Sequence, residues 1–107
     1  MAEARPELLE YYAELFEPLG AVDARRMFGG WQLLLDGRGF AFVIHDVLYF
    51  RTDPALRDAL VARGARPFAY KRKDGREIVT KLTGAPDADA DDPDALRAWA
   101  VRALAVE

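Results

Sequence analysis

Apolar residues along the chain alternate between two periods. Leu8, Tyr12, Leu15, Phe16 and Leu19 recur at three- and four-residue spacing, which predicts a helix opening at Pro6 with one apolar face. Glu7, Glu10, Glu14 and Glu17 fall on its solvated side. Glu17-Pro18 ends it, because a residue before proline is pushed out of the α region, and Gly20 permits a left-handed exit. The pattern then shortens. Trp31 to Leu35, Phe40 to Ile44 and Val47 to Arg51 read as three strands, separated by Asp36-Gly37-Arg38-Gly39 and by a His45-Asp46 reversal. These strands are apolar on both faces. One face is expected under helices, and the other needs a loop, the second half of the chain or a partner subunit.

Thr52-Asp53-Pro54 is a helix start: a capping side chain, an acid at the positive helix end and a first-turn proline. Leu56, Leu60 and Val61 supply its buried stripe, and Arg63-Gly64 stops it. Pro67 to Arg72 and Arg76 to Leu82 are two more strands, turning at Lys73-Asp74-Gly75. A loop through Asp87, Asp89, Asp91 and Asp92 leads to a last helix from Asp92-Pro93, with Leu96, Trp99, Ala100, Ala103 and Leu104 on one side. The order α-β-β-β-α-β-β-α predicts an α+β fold, a mostly antiparallel sheet with helices packed on one face. At 107 residues, without repeats or a long linker, residues 1–107 read as a single domain.

Composition narrows the chemistry. The net charge of −3 and pI near 5.2 argue against nucleic-acid binding over the whole surface. The chain contains no cysteine, serine or asparagine. Disulfides, thiolate metal sites and serine or cysteine nucleophiles are therefore excluded, leaving His45 as the one imidazole base. The N-terminal Met1 to Arg5 lacks the apolar core of a signal peptide, and no apolar run is long enough to span a membrane, so a cytoplasmic location is expected.

Arg25-Arg26-Met27-Phe28-Gly29-Gly30-Trp31 joins charge, backbone freedom and aromatic bulk more closely than any other stretch. Gly29-Gly30 lacks the lysine of a P-loop and the spacing of a dinucleotide fingerprint, and reads as a bend with a close backbone approach. Met27, Phe28 and Trp31 read as core or interface anchors. Arg25 and Arg26 stand open between binding a phosphate or carboxylate and pairing with Glu14, Glu17 or Asp23. Asp87, Asp89 and Asp91 have the opening spacing of a calcium loop, but Asp92 replaces its sixth-position glycine and Ala98 its final glutamate. These acids read as a solvated loop, and neither metal nor cofactor is expected. Lys71, Arg72, Lys73 and Arg76, with Lys81, Arg63 and Arg66, form a basic cluster interleaved with Phe68 and Tyr70. It reads as a charged edge hairpin that can dock an acidic protein partner, and secondarily as a nucleic-acid groove.

Arg26-Met27-Phe28-Gly29-Gly30-Trp31, with Leu35-Asp36-Gly37, Phe40-Ala41 and Leu48-Tyr49-Phe50-Arg51 after it, resembles the signature of the TfoX (Sxy) N-terminal domain family. Gly64 with Pro67-Phe68-Ala69-Tyr70, and Asp92-Pro93 with Leu96 and Trp99, are similar to that family's second half. The resemblance implies a fold akin to type III secretion chaperones and YgaC-like proteins. It further implies a role like that of the competence regulators, which promote transcription of DNA-uptake genes together with a cyclic-AMP receptor protein. Those regulators carry a second, helical C-terminal domain. This chain, ending at Glu107, is read as a stand-alone member without one. It implies no catalytic residue. The expectation is a non-enzymatic domain that binds a protein, with a homodimer as one form of that binding. A nucleic-acid-binding accessory using Arg63 to Lys81, and a small enzyme of unassigned reaction, are the alternatives.

Overall fold

The structure, a computed structural model, describes residues 6–27 and 29–106. Helix α1 (Glu7–Leu15) begins after Pro6 and buries Leu9 and Leu15. It closes one residue earlier than the proline alone requires. Phe16 caps it, and Glu17–Leu19 make a single 3-10 turn that accommodates Pro18. The fully buried Phe16 meets Phe40 and Phe50 edge-on, with ring centroids 5.3 and 6.4 Å away, so the residue leaving the helix anchors it to the sheet.

The strands before the second helix number four, not three. Strand β1 (Val22–Met27) precedes β2 (Gly30–Leu35), β3 (Arg38–Ile44) and β4 (Val47–Arg51). Then come α2 (Pro54–Ala62), β5 (Pro67–Lys71), β6 (Glu77–Gly84), a 3-10 turn at Asp87–Asp89 and α3 (Pro93–Leu104). The strands form one six-stranded sheet in the order β1-β2-β3-β4-β6-β5, with every neighbouring pair antiparallel. The α+β class and the alternation of helix and strand blocks hold, with β1 added as an edge strand.

The starts of α2 and α3 are made by aspartate. Asp53 Oδ1 accepts from the Leu56 amide at 2.8 Å, and Asp92 Oδ1 accepts from the Asp94 and Ala95 amides at 3.1 and 3.2 Å. Thr52 turns inward instead: its hydroxyl bonds the Lys81 carbonyl at 3.0 Å and the fully buried Thr83 hydroxyl at 3.2 Å. On α2 the buried residues are Leu56 and Leu60, whereas Val61, expected inside, faces solvent at 43% exposure.

The buried residues of all three helices join one core with Leu33, Val43, Leu48 and Phe50 of the sheet. A bulge between Leu33 and Leu34 leaves Phe40 without a register partner on β2, and Phe40 and its neighbour Ala41 both enter that core. Helix α3 is tied down at three points. Arg38 donates to the Leu104 carbonyl at 2.7 Å, Arg97 Nε donates to the Leu15 carbonyl at 2.7 Å, and Trp99 Nε1 donates to Asp89 at 2.9 Å.

The other face of the sheet carries no helix among the described residues. Gln32, Phe42 and Tyr49 lie in register across it, as do Ile44 and Val47. Phe42 and Ile44 are nevertheless only 6% and 3% exposed. Residues of the β5–β6 hairpin line a groove with them.

Candidate functional site

The Arg25–Trp31 stretch splits across the two faces of β1 and β2. In the register Val22↔Leu35, Ala24↔Leu33 and Arg26↔Trp31, the even residues of β1 share the core side, while Asp23, Arg25 and Met27 take the other. The Arg26 guanidinium lies over the Trp31 ring, 5.5 Å from its centroid. Trp31 is half-buried against the core, Met27 is half-buried outside it, and Arg25 is exposed. Phe28 lies outside the described residues.

The two glycines differ. Gly29 takes φ 74° with nothing within 4 Å of a Cβ built on it. Gly30 is buried, and a Cβ there would collide with the Val43 carbonyl oxygen and fall 2.9 Å from Ile44 Cγ1. The first supplies a turn angle, and the second permits β3 to approach. Arg26, Gly29, Gly30 and Trp31 line a shallow cleft of about 260 Å³ with His45 and Asp46. His45 and Asp46 both have positive φ, 49° and 62°, as the central pair of the β3–β4 turn.

The basic cluster comes apart. Arg63 does not belong to it: its Nη2 and Nε reach Asp89 at 2.7 and 3.2 Å in a two-pronged pair. Asp89 is only 5% exposed, so it is not part of a solvated loop as its neighbours Asp87, Asp91 and Asp92 are. The Arg63 hydrogen bond and then the Trp99 indole N–H hold its carboxyl below the usual carboxylate range, against the opposing effect of burial. The same pairing raises Arg63. This clasp fastens the end of α2 to α3 through the aspartate-rich loop. Sequence reading missed it, and the only local sign was an acid flanked by alanines, in Ala88-Asp89-Ala90.

The remaining cations stay together. β6 pairs with β4 only over Leu82 to Gly84, so from Lys81 outward the β5–β6 hairpin is a two-stranded arm. Lys71, Arg72, Lys73 and Arg76 are exposed at its tip, where Arg76 pairs with Asp74 at 3.0 Å and Gly75 takes φ 88°. Arg66 sits at the opposite end, lining a separate cleft of about 550 Å³ with Val47, Tyr49 and Asp87. Between Lys71 and Lys81 five cations stand against two anions. The arm thus has a surplus of three on a chain of net charge −3, and the remaining residues carry −6.

The arm's inner side and the helix-free face enclose an apolar groove of about 470 Å³. Phe42, Ile44 and Leu82 line it with Phe68, Tyr70 and Lys81. Phe68 is held edge-on by Tyr49, with ring centroids 5.0 Å apart, and Tyr70 is 51% exposed. The groove thus brings together Tyr70 of the apolar–basic alternation with apolar residues from β3. The groove and the Arg25–Trp31 cleft are distinct places on the molecule.

Among the described residues no group of three histidine, aspartate or glutamate side chains is placed to hold a metal ion, and no helix is long and apolar enough to cross a membrane. The family model described as the TfoX N-terminal domain matches residues 14–106. No curated protein matches the chain.

Proposed function

We propose that this chain, which belongs to the TfoX N-terminal domain family, is a non-enzymatic binding domain that engages a protein through the helix-free face of its sheet. One observation carries the reading. At the β5–β6 hairpin that face opens into a groove lined by the apolar Phe42, Ile44, Phe68, Tyr70 and Leu82 with Thr80 and Lys81, and Tyr70 itself stands half exposed. Two of the chain's most evident polar constellations meanwhile serve the fold: Asp53 and Asp92 cap helices, and Asp89 clasps Arg63 and Trp99. A photo-crosslinking residue at position 70, in cells making the chain, is expected to capture protein. One at Val101, equally exposed on α3, is the control. Equal capture at both positions, or none at position 70, would sink the proposal.

A second reading has its own observation. The arm sets exposed Tyr70 beside Lys71, Arg72 and Lys73, the mixture that binds single-stranded nucleic acid by stacking and charge. Its mark is binding to an oligonucleotide that weakens steeply with salt. Absence of binding at low salt removes it.

A further inference from the structure

Deepening that binding reading, and resting on it, we infer that the groove takes an acidic amphipathic peptide segment. An aromatic or branched aliphatic side chain enters between Ile44, Leu82 and Tyr70, and flanking carboxylates meet Lys71, Arg72, Lys73 and Lys81.

The shape supports one anchored side chain. The groove's volume of about 470 Å³ falls within the range of sites that enclose a ligand group. Lys81 is the one charged residue of the lining and is itself exposed, so an apolar group set against Phe42, Ile44 and Leu82 buries no unpaired charge. Phe68 is braced by Tyr49, so that wall stands without a ligand.

Charge decides what flanks the anchor. Among the described residues the one carboxylate that pairs with a cation of the arm is Asp74, which holds Arg76. Lys81 lines the groove, and the exposed Lys71, Arg72 and Lys73 follow the groove residue Tyr70 toward the tip of the arm. An acidic segment gains from all four, and complementary charge raises association rate and fixes register.

The same distribution disfavours the other occupants. Nucleic acid would bring its phosphates toward a body carrying −6, and Tyr70 is the arm's one ring more than half exposed. A two-fold dimer through the groove would set the same surplus of three against its own copy, since such an interface presents one patch to itself.

The test is selection of binders to the whole chain from a random peptide display library. Measured affinities for the selected peptides are then compared among the parent, Tyr70→Ala and Lys71→Glu/Arg72→Glu/Lys73→Glu. All these positions are exposed, so the variants keep the fold, as matching thermal melts will verify. The expected peptides carry aspartate or glutamate beside an aromatic or branched aliphatic residue. They lose about tenfold or more in affinity on each variant, and the charge-reversed variant also loses their salt dependence. Peptides that need Tyr70 but lack acids, or that bind the charge-reversed variant unchanged, overturn the acidic partner and leave the binding face standing. Peptides indifferent to Tyr70, or a library that returns none, overturn both. An oligonucleotide that displaces the peptides at physiological salt, or a dimer in light scattering that Tyr70→Ala dissociates, also overturns the inference.

Discussion

Replacing Gly30 by alanine adds one methyl group where β2 lies against the backbone of β3. The added Cβ would strike the Val43 carbonyl oxygen and lie 2.9 Å from Ile44 Cγ1 and 3.0 Å from Ile44 Cα. Two of those three atoms are backbone, and a backbone atom cannot swing aside as a side-chain tip can. Either the ladder parts locally or Ile44 leaves its seat. Overfilling a packed site costs about 1–3 kcal/mol. Alanine regains about 0.5–1 kcal/mol by reducing the freedom of the unfolded chain, so the net loss spans about 0–2.5 kcal/mol, and the backbone clash puts it in the upper part, about 1–2.5 kcal/mol. For a domain of this size that lowers Tm by roughly 5–15 °C. Thermal melts and urea unfolding measure it, with an unchanged m-value as the sign that only stability has moved. Two companions isolate the cause. Gly29→Asn should be nearly neutral, because space is open there and asparagine tolerates φ near 74°. Gly39→Ala should cost less than Gly30→Ala, because its Cβ meets the end of the flexible Gln32 side chain. A Gly30→Ala protein that melts within about a degree of the parent refutes the steric account.

Asp89→Asn should lower stability at neutral pH by about 2–3 kcal/mol, since it loses the charge-assisted bonds from Arg63 and Trp99. It should also flatten the acid limb. The folded carboxyl titrates below its unfolded value, so its stabilisation is complete above that value, near 3.9, and fades as pH falls through the lower folded one. Urea midpoints between neutral pH and acid should therefore converge for the two proteins, and parallel curves would contradict the clasp. His45→Asn with Asp46→Gly should raise stability by about 1 kcal/mol or more, since both positions have positive φ and the new pair suits such a turn. An unchanged or lower urea midpoint would show that the native turn is not strained.

Much of the fold was legible because local and tertiary preferences agree. The acid–proline pairs at Asp53-Pro54 and Asp92-Pro93 mark both later helix starts by a mechanism that acts within a few residues. The runs at Trp31–Leu35 and Phe40–Ile44 are apolar enough to be strands in any setting. Strand β1 escaped because it is an edge with weak contrast: Val22 and Ala24 are only half-buried, and Asp23, Arg25 and Arg26 dilute the alternation. Its period of two becomes visible once Val22, Ala24 and Arg26 are set opposite Leu35, Leu33 and Trp31. Val61 was misplaced because both neighbouring helix positions are apolar, and only the contact surface decides between Leu60 and Val61. The groove and the clasp lay beyond sequence reading for a different reason. Each joins residues far apart in the chain, Ile44 with Leu82 and Arg63 with Asp89 and Trp99, and periodicity reports a face without naming what lies across from it.

The three ties on α3 bear on the timing of synthesis. Arg97 bonds a carbonyl of the first helix across 82 residues, and Arg38 bonds the end of the last helix across 66. A nascent chain cannot complete either bond until α3 itself has left the ribosome, and closing so long a loop is costly until the contacts at its end reward it. Until then Leu9, Phe16, Phe40 and Phe50 lack the partners that Leu96, Ala100 and Ala103 provide. The final helix is therefore the latch of this domain, and the apolar face it covers is the surface that a chaperone would meet during translation.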